Sequence, residues 1–194
     1  MKLEQQAMDQ LFLKARSHNG WQGKQVSDEQ LKEIYDLMRM GPTSANSCPA
    51  RLVFIKSTAA KERLKVCLDE GNLDKSMSAP VVAIIGMDLE FYEQLPKLFP
   101  HTDAKAWFVG KTEKIKETAF RNSSLQGAYF IMAVRSLGLD AGPMSGFNSQ
   151  KLDETFFPDG KVKSNFICAI GYGDEGKLYA RGPRLAFDEA CQIV

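Results

Sequence analysis

The residues best equipped for chemistry lie far apart in this chain. They are Arg16 and Ser17, a polar loop from Gly41 to Arg51, the pair Asn72 and Lys75, a turn Pro143-Met144-Ser145-Gly146, and Arg181. Two arginines suit a phosphate, because guanidinium groups hold its oxygens bidentately. Asn72 and Lys75 stand three apart, so one helical turn would point both the same way. Pro143 to Gly146 offers closely spaced backbone donors. The loop reads Gly-Pro-Thr-Ser-Ala-Asn-Ser-Cys-Pro-Ala-Arg and packs Thr43, Ser44, Asn46 and Ser47 between two prolines. Prolines fix φ and remove donors, so such a loop is stiff. It can present hydroxyls, an amide and backbone N–H groups. Converged, these features would suit a phosphorylated, planar, polar ligand. Taken singly, each has a plainer meaning: the loop is an Asx/Ser turn between helix and strand, and a lone basic side chain is a solvated charge.

Other chemistries are poorly supported. Cys48, Cys67, Cys168 and Cys191 form no Cys-x-x-Cys pair, which fits free thiols in a reducing compartment. His18 and His101 are isolated, so no metal site is expected. A Cys48–His18 nucleophile pair lacks a third, orienting residue. Gly171-Tyr-Gly173-Asp-Glu-Gly176 has the spacing of a dinucleotide-binding turn, but Gly182 and Pro183 fall where its helix should run. Those glycines read as a turn after a strand. Net charge is +1 with acids and bases interspersed, so neither a nucleic-acid nor a membrane partner is expected. No apolar stretch approaches a membrane span and no signal-type apolar region opens the chain, so a cytoplasmic protein of one domain, residues 1–194, is expected.

The elements that must position these residues follow from periodicity. A first helix is predicted over about Leu3 to Arg16, with Ala7, Leu11 and Ala15 on one face. Ser27 and Gln30 form a capping box opening a second helix, whose stripe is Leu31, Ile34, Tyr35 and Met38 and whose C-cap is Gly41. Strands are predicted at Leu52–Ile55, Pro80–Gly86 and Asn165–Ile170, and helices at Lys61–Leu68, 112–137 and Gln150–Phe156. Gly138 and Gly142 are expected to release the chain from the long helix. That helix mixes Asn122, Ser123, Ser124 and Gln126 with small residues, as in one crossing a core or an oligomer interface. Residues 88–108 hold Phe91, Tyr92, Phe99, Trp107 and Phe108 with Pro96 and Pro100 among them and read either as a lid or as an excursion packed on its own aromatics. Helices and few strands without strict alternation indicate an α+β class.

In order and spacing, these motifs resemble the nitroreductase family of FMN-dependent oxidoreductases nearly end to end. The matching positions are Arg16, Ser17 and Asn19 after the first helix; Pro42, Ser44, Asn46 and Pro49; Asn72 and Lys75; Pro143, Gly146 and Phe147; and Arg181 with Pro183. The resemblance implies a nitroreductase-like fold, a central mixed sheet flanked by helices in an intertwined homodimer, with FMN at the interface and NAD(P)H as hydride-donating cosubstrate. It assigns Arg16, Ser17, Asn19 and Arg181 to the FMN phosphate and ribityl chain. Pro42, Thr43, Ser44 and Asn46 would reach the flavin held mainly by the partner. Asn72 and Lys75 would face the pyrimidine edge. Pro143, Met144, Ser145 and Gly146 would line the ring, with Ser145 and Gly146 presenting N–H groups to flavin N5. Lys75, Ser145 and Gly146 are thereby the implied catalytic residues.

The sequence departs from the family pattern at Asn19, Cys48 and Tyr179, where arginine, glutamine and a basic residue are usual. The stretches Arg16–Trp21, Gly41–Asn46, Phe120–Ser124 and Gly142–Phe147 resemble one branch, the HadB/RutE-type malonic semialdehyde reductases of the Rut pyrimidine-degradation pathway. That implies a small-molecule substrate, malonic semialdehyde, reduced to 3-hydroxypropanoate, with His101 or Lys105 as a candidate cation for its carboxylate. The alternatives are a broad nitro- or quinone reductase and a flavin-binding protein without turnover.

Overall fold

The computed structural model describes residues 1–194. In chain order the elements are α1 (Gln5–Met8), α2 (Asp28–Met38), β1 (Ala50–Ile55), α3 (Thr58–Lys65), α4 (Leu73–Ser78), β2 (Val81–Asp88), α5 (Leu95–Leu98), α6 (Thr112–Ser136), β3 (Asp140–Met144), α7 (Ser149–Phe156), β4 (Val162–Gly171) and α8 (Phe187–Ala190). The strands form one sheet in the order β1-β2-β4-β3, and every pairing within it is antiparallel. This is an α+β arrangement, as the sequence indicates.

The unbroken apolar run of β2 has a direct cause: both faces of the sheet are covered. Side chains alternate along a strand. Val81, Ala83 and Ile85 join Leu31, Ile34 and Met38 of α2 and Phe130, Ala133 and Val134 of α6 in one core. Val82 and Ile84 join Leu64 of α3, Leu152 of α7 and Ile167 and Ala169 of β4 in a second. The Ser27–Gln30 capping box forms at α2, with Ser27 Oγ accepting from Gln30 N at 3.2 Å and Gln30 Oε1 accepting from Ser27 N at 3.0 Å. Tyr35, expected in the apolar stripe, is exposed.

Several boundaries differ from the sequence expectation. The first helix ends early, because a widened turn at Asp9–Leu13 closes it and the chain then extends. Arg16 and Ser17 therefore lie on extended backbone, where Ser17 bridges Ala141 in parallel and His18 N donates to Ala141 O at 3.1 Å. That bridge is the one parallel feature of a sheet otherwise antiparallel rather than mixed. Gly41 is not a left-handed cap, since α2 ends by tightening, with Met40 N donating to Leu37 O and Gly41 N to Met38 O. Strand β3 was masked by its glycine and proline. It is an edge strand, paired along its length with β4 and touched on its outer side only by the Ser17 bridge at Ala141, which is where a proline without an N–H is tolerated.

Residues 88–108 pack on themselves. Phe91, Leu95, Ala104 and Phe108 form a satellite core with Ala119 of α6, and the Phe91 and Phe108 rings meet edge-on at 5.0 Å. No helix is long and apolar enough to cross a membrane.

The capping box yields a stability test. Ser27→Ala removes the acceptor for the Gln30 N–H and is expected to cost about 1 kcal/mol. The thermal midpoint should fall by about 2–4 °C in a melting experiment.

Candidate functional site

The site is organised around a strand position with no side chain. At Gly142 of β3, a Cβ would stand 2.5 Å from Lys75 Cε, 3.1 Å from Lys75 Nζ and 2.6 Å from the His18 carbonyl oxygen. The lysine chain and the Arg16–Asn19 segment therefore both close on the bare backbone of residue 142. Lys75 is held from below, where the Trp21 indole Nε1 donates to its carbonyl at 2.9 Å. Its amine is half-buried, and desolvation lowers its pKa from the ordinary lysine value. The nearby ionisable group is Cys168, whose buried thiol is pushed up to about 12 and is thus neutral at pH 7. No carboxylate offsets the charge of Lys75.

The turn after β3 is tied to the segment that precedes α4. Leu68 bridges Phe147, Asn148 N donates to Cys67 O at 2.7 Å, and Gly146 O accepts from both Asp69 N at 3.2 Å and Asn72 Nδ2 at 2.9 Å. Asn72 sits at the start of α4 without capping it, which leaves its Oδ1 free. Ser145 and Gly146 are thereby placed beside Asn72, while Met144 is buried under Ser76 and Pro143 lies on the strand between them and Gly142.

The two arginines lie close by. Arg16 donates to Tyr179 O, and Arg181 Nη2 donates to Leu13 O at 2.9 Å and Ala15 O at 3.0 Å. They lash the C-terminal segment to the chain just before β3's parallel bridge. Asn19, Asn72 and Lys75 share a cleft of about 850 Å³ with Tyr179. Arg16 and Arg181 line an adjoining cleft of about 760 Å³ with His18 and Asp140, and Leu178 borders both. Asp140 clamps this wall, with Oδ1 3.3 Å from His18 Nε2 and Oδ2 accepting from Gly173 N at 2.9 Å. His18 Nδ1 is buried without a partner.

The loop Pro42–Asn46 is not brought into either cleft. It packs on α6 and α5 instead, with Pro42 O accepting from Tyr129 OH, Ser44 N donating to Asn122, and Asn46 Nδ2 donating to Leu98 O. Thr43 Oγ1 accepts from Cys48 N at 3.1 Å, and the Cys48 thiol donates to Asn46 Oδ1. Cys48 and His18 thus each have other partners. The expected substrate cations also lie outside the clefts. Lys105 is paired with Glu93 at 2.6 Å, and His101 stacks edge-on against Phe99. Gly142, Trp21 and Asp140 were not picked out from sequence. Trp21 and Gly142 fall within stretches that resemble one branch of the family, and Gly142 beside Pro143 reads first as a chain breaker; Asp140 carries no signal of its own.

Residues 13–173 match the nitroreductase family. A protein of Polynucleobacter asymbioticus, provisionally named NADH dehydrogenase/NAD(P)H nitroreductase, is 62% identical over 192 residues, which is 99% of this chain and 98% of that one. A Burkholderia lata protein with the same provisional name is 57% identical over 191 residues, 98% of each chain. A provisionally named nitroreductase of Exiguobacterium sibiricum, solved in complex with FMN, superposes with a TM-score of 0.86 over 100% of this chain and 99% of that one. At 16% identity, that likeness is one of fold.

Two substitutions test the geometry. Gly142→Ala places a methyl against the His18 carbonyl, which is backbone and cannot swing aside, so a loss of about 1–3 kcal/mol is expected in denaturant unfolding. Lys75→Met removes a charge that burial disfavours. Because the folded pKa lies below the unfolded one, the unfolded state binds more protons between the two values, and wild-type stability rises with pH across that window. The variant should be at least as stable as wild type at pH 7 without ligand, and its melting curves should lack that rise.

Proposed function

This chain belongs to the nitroreductase family, and we propose that it is an FMN-dependent NAD(P)H oxidoreductase, working as a cytoplasmic homodimer, that reduces malonic semialdehyde to 3-hydroxypropanoate. The observation that carries the flavin reading is Lys75: an amine desolvated against Gly142, with no carboxylate partner, beside an asparagine with a free acceptor. Such a charge is stabilised by a ligand that brings negative charge to it. FMN fits that donor set. Its phosphate matches Arg16 and Arg181, with Ser17 and Asn19 nearby for the ribityl hydroxyls. Its pyrimidine edge matches Asn72 Oδ1 and the Lys75 ammonium.

When bound, FMN supplies hydride exchange between the nicotinamide and the acceptor. The chain's own task is to bind and orient. Lys75 offers a fixed cation, Asn72 is steadied by its bond to Gly146 O, and Ser145 and Gly146 offer backbone from a turn tied to residues 67–72, which Pro143 and Met144 lead into from β3.

Two features support the dimer. Residues 179–194 are exposed throughout, although they include Tyr179, Leu185, Phe187 and Ile193. On α6, Phe120 and Leu125 are exposed on either side of one shallow surface that Ala128 also lines. Apolar surface of this extent is stabilised by burial against a second copy. A second copy would also deliver the Pro42, Thr43, Ser44 and Asn46 loop, which the chain does not bring to its own clefts. Four unpaired cysteines agree with a reducing compartment.

Malonic semialdehyde rests on the four stretches that resemble its reductases. The names of the relatives favour a second reading, a broad nitro- or quinone reductase on the same site. The purified protein is expected to carry flavin absorbance that NAD(P)H bleaches; flavin that resists NAD(P)H would reveal a binding protein without turnover. In stopped flow, Lys75→Met should slow the bleaching by about 10²-fold with FMN still bound. Comparison of kcat/KM for malonic semialdehyde, nitrofurazone and menadione separates the two readings, and a semialdehyde rate at background leaves the second.

A further inference from the structure

The buried polar face of α6 has no part in the function proposed above. Asn122, Gln126 and Tyr129 stand one helical turn apart, and each takes one backbone group of the segment 42–50. Asn122 Oδ1 accepts from Ser44 N at 2.8 Å, Gln126 Oε1 accepts from Ala50 N at 2.8 Å, and Tyr129 OH donates to Pro42 O at 3.0 Å. Asn122 and Gln126 are 1% and 3% exposed, so neither acceptor competes with bulk water. The groups they meet have no other protein partner. Ser44 N opens a short 3₁₀ turn, where the first N–H groups are orphaned, and Ala50 begins the edge strand β1. The orientation of Asn122 is also decided: its Nδ2 donates to Thr118 O at 2.9 Å, one turn back along the helix, which leaves only Oδ1 for the loop.

The segment needs such support. Ala45, Asn46 and Cys48 have φ of 50°, 49° and 41°, left-handed values that residues with a Cβ adopt at a cost. Helix α6 is itself anchored to the central strand, where Asn165 Nδ2 of β4 donates to Ser123 Oγ at 2.8 Å and Ser124 Oγ at 2.9 Å. The loop is thus referenced, through α6 and β4, to the strand β3 that carries Gly142.

We propose that Asn122, Gln126 and Tyr129 are positioning residues that hold the segment 42–50, with its left-handed residues, so that the Pro42–Asn46 loop meets the cofactor in a fixed geometry. The cofactor half of this rests on the flavin and homodimer readings above. Asn122 touches the loop at Ser44 and Gln126 at Ala50, so their effects are separable. Amide hydrogen exchange on the protein without FMN reads the contacts directly. Asn122→Leu should speed exchange at Ser44 about tenfold and spare Ala50, and Gln126→Leu should do the reverse. Gln126→Glu keeps an acceptor oxygen and should restore protection at Ala50. Tyr129→Phe removes only a hydroxyl and guards against a variant that fails to fold.

Measured well below melting, the FMN dissociation constant should rise about tenfold in both leucine variants and return toward wild type in Gln126→Glu. Unchanged exchange at both amides overturns the proposal. Faster exchange with unchanged FMN affinity also overturns it, because the contacts would then be structural only. A wild-type protein that binds no FMN defeats the flavin reading, while the exchange result still decides whether α6 holds the loop.

Discussion

The close approach at residue 142 is the constraint on which the site depends. Two separate stretches of chain, the Arg16–Asn19 segment and the Lys75 side chain, converge on one strand position. They can do so only because that position carries hydrogen. Interiors pack at close to crystal density, so a single methyl there cannot be accommodated without moving backbone. The same approach fixes the register of Ser17 and His18 along β3, and with it the direction from which Arg16 faces the cleft.

The electrostatics follow from that packing. Lys75 is drawn against the sheet and loses water without gaining a counter-charge, since its ionisable neighbour Cys168 remains a neutral thiol. Stability alone does not call for such an arrangement, because a half-buried unpaired amine costs free energy. Active sites are where proteins retain costs of this kind. The arginines differ. Arg16 and Arg181 already hold backbone carbonyls, so they act partly as struts between the C-terminal segment and residues 13–17.

Much of the fold was legible locally. The Ser27–Gln30 box, the long helix at 112–137 and the apolar run at 80–86 are all short-range patterns, and all appear within a few residues of where periodicity puts them. The failures share a cause. Strand β3 looked like a chain breaker because glycine and proline disfavour strands locally; its pairing with β4 overrides that preference at an edge. The first helix looked longer because its apolar spacing continues to Ala15, yet the chain is pulled into extended form to pair with Ala141. The polar residues of α6 mark it in the sequence as a helix that crosses a core or an interface, but the backbone groups they hold in the segment 42–50 lie 76 or more residues away.

The sequence alone therefore determined the residue types, the Ser27–Gln30 capping box, the α+β class and the family. Those depend on neighbours along the chain and on the order of short motifs. Only the tertiary structure decided that Lys75 loses its water over Gly142, that Asn72 is steadied by the turn after β3, and that the Pro42–Asn46 loop is held by α6 away from the clefts of its own chain. Desolvation, close approach and hydrogen bonding across long separations are properties of what packs against what, and no local pattern encodes them.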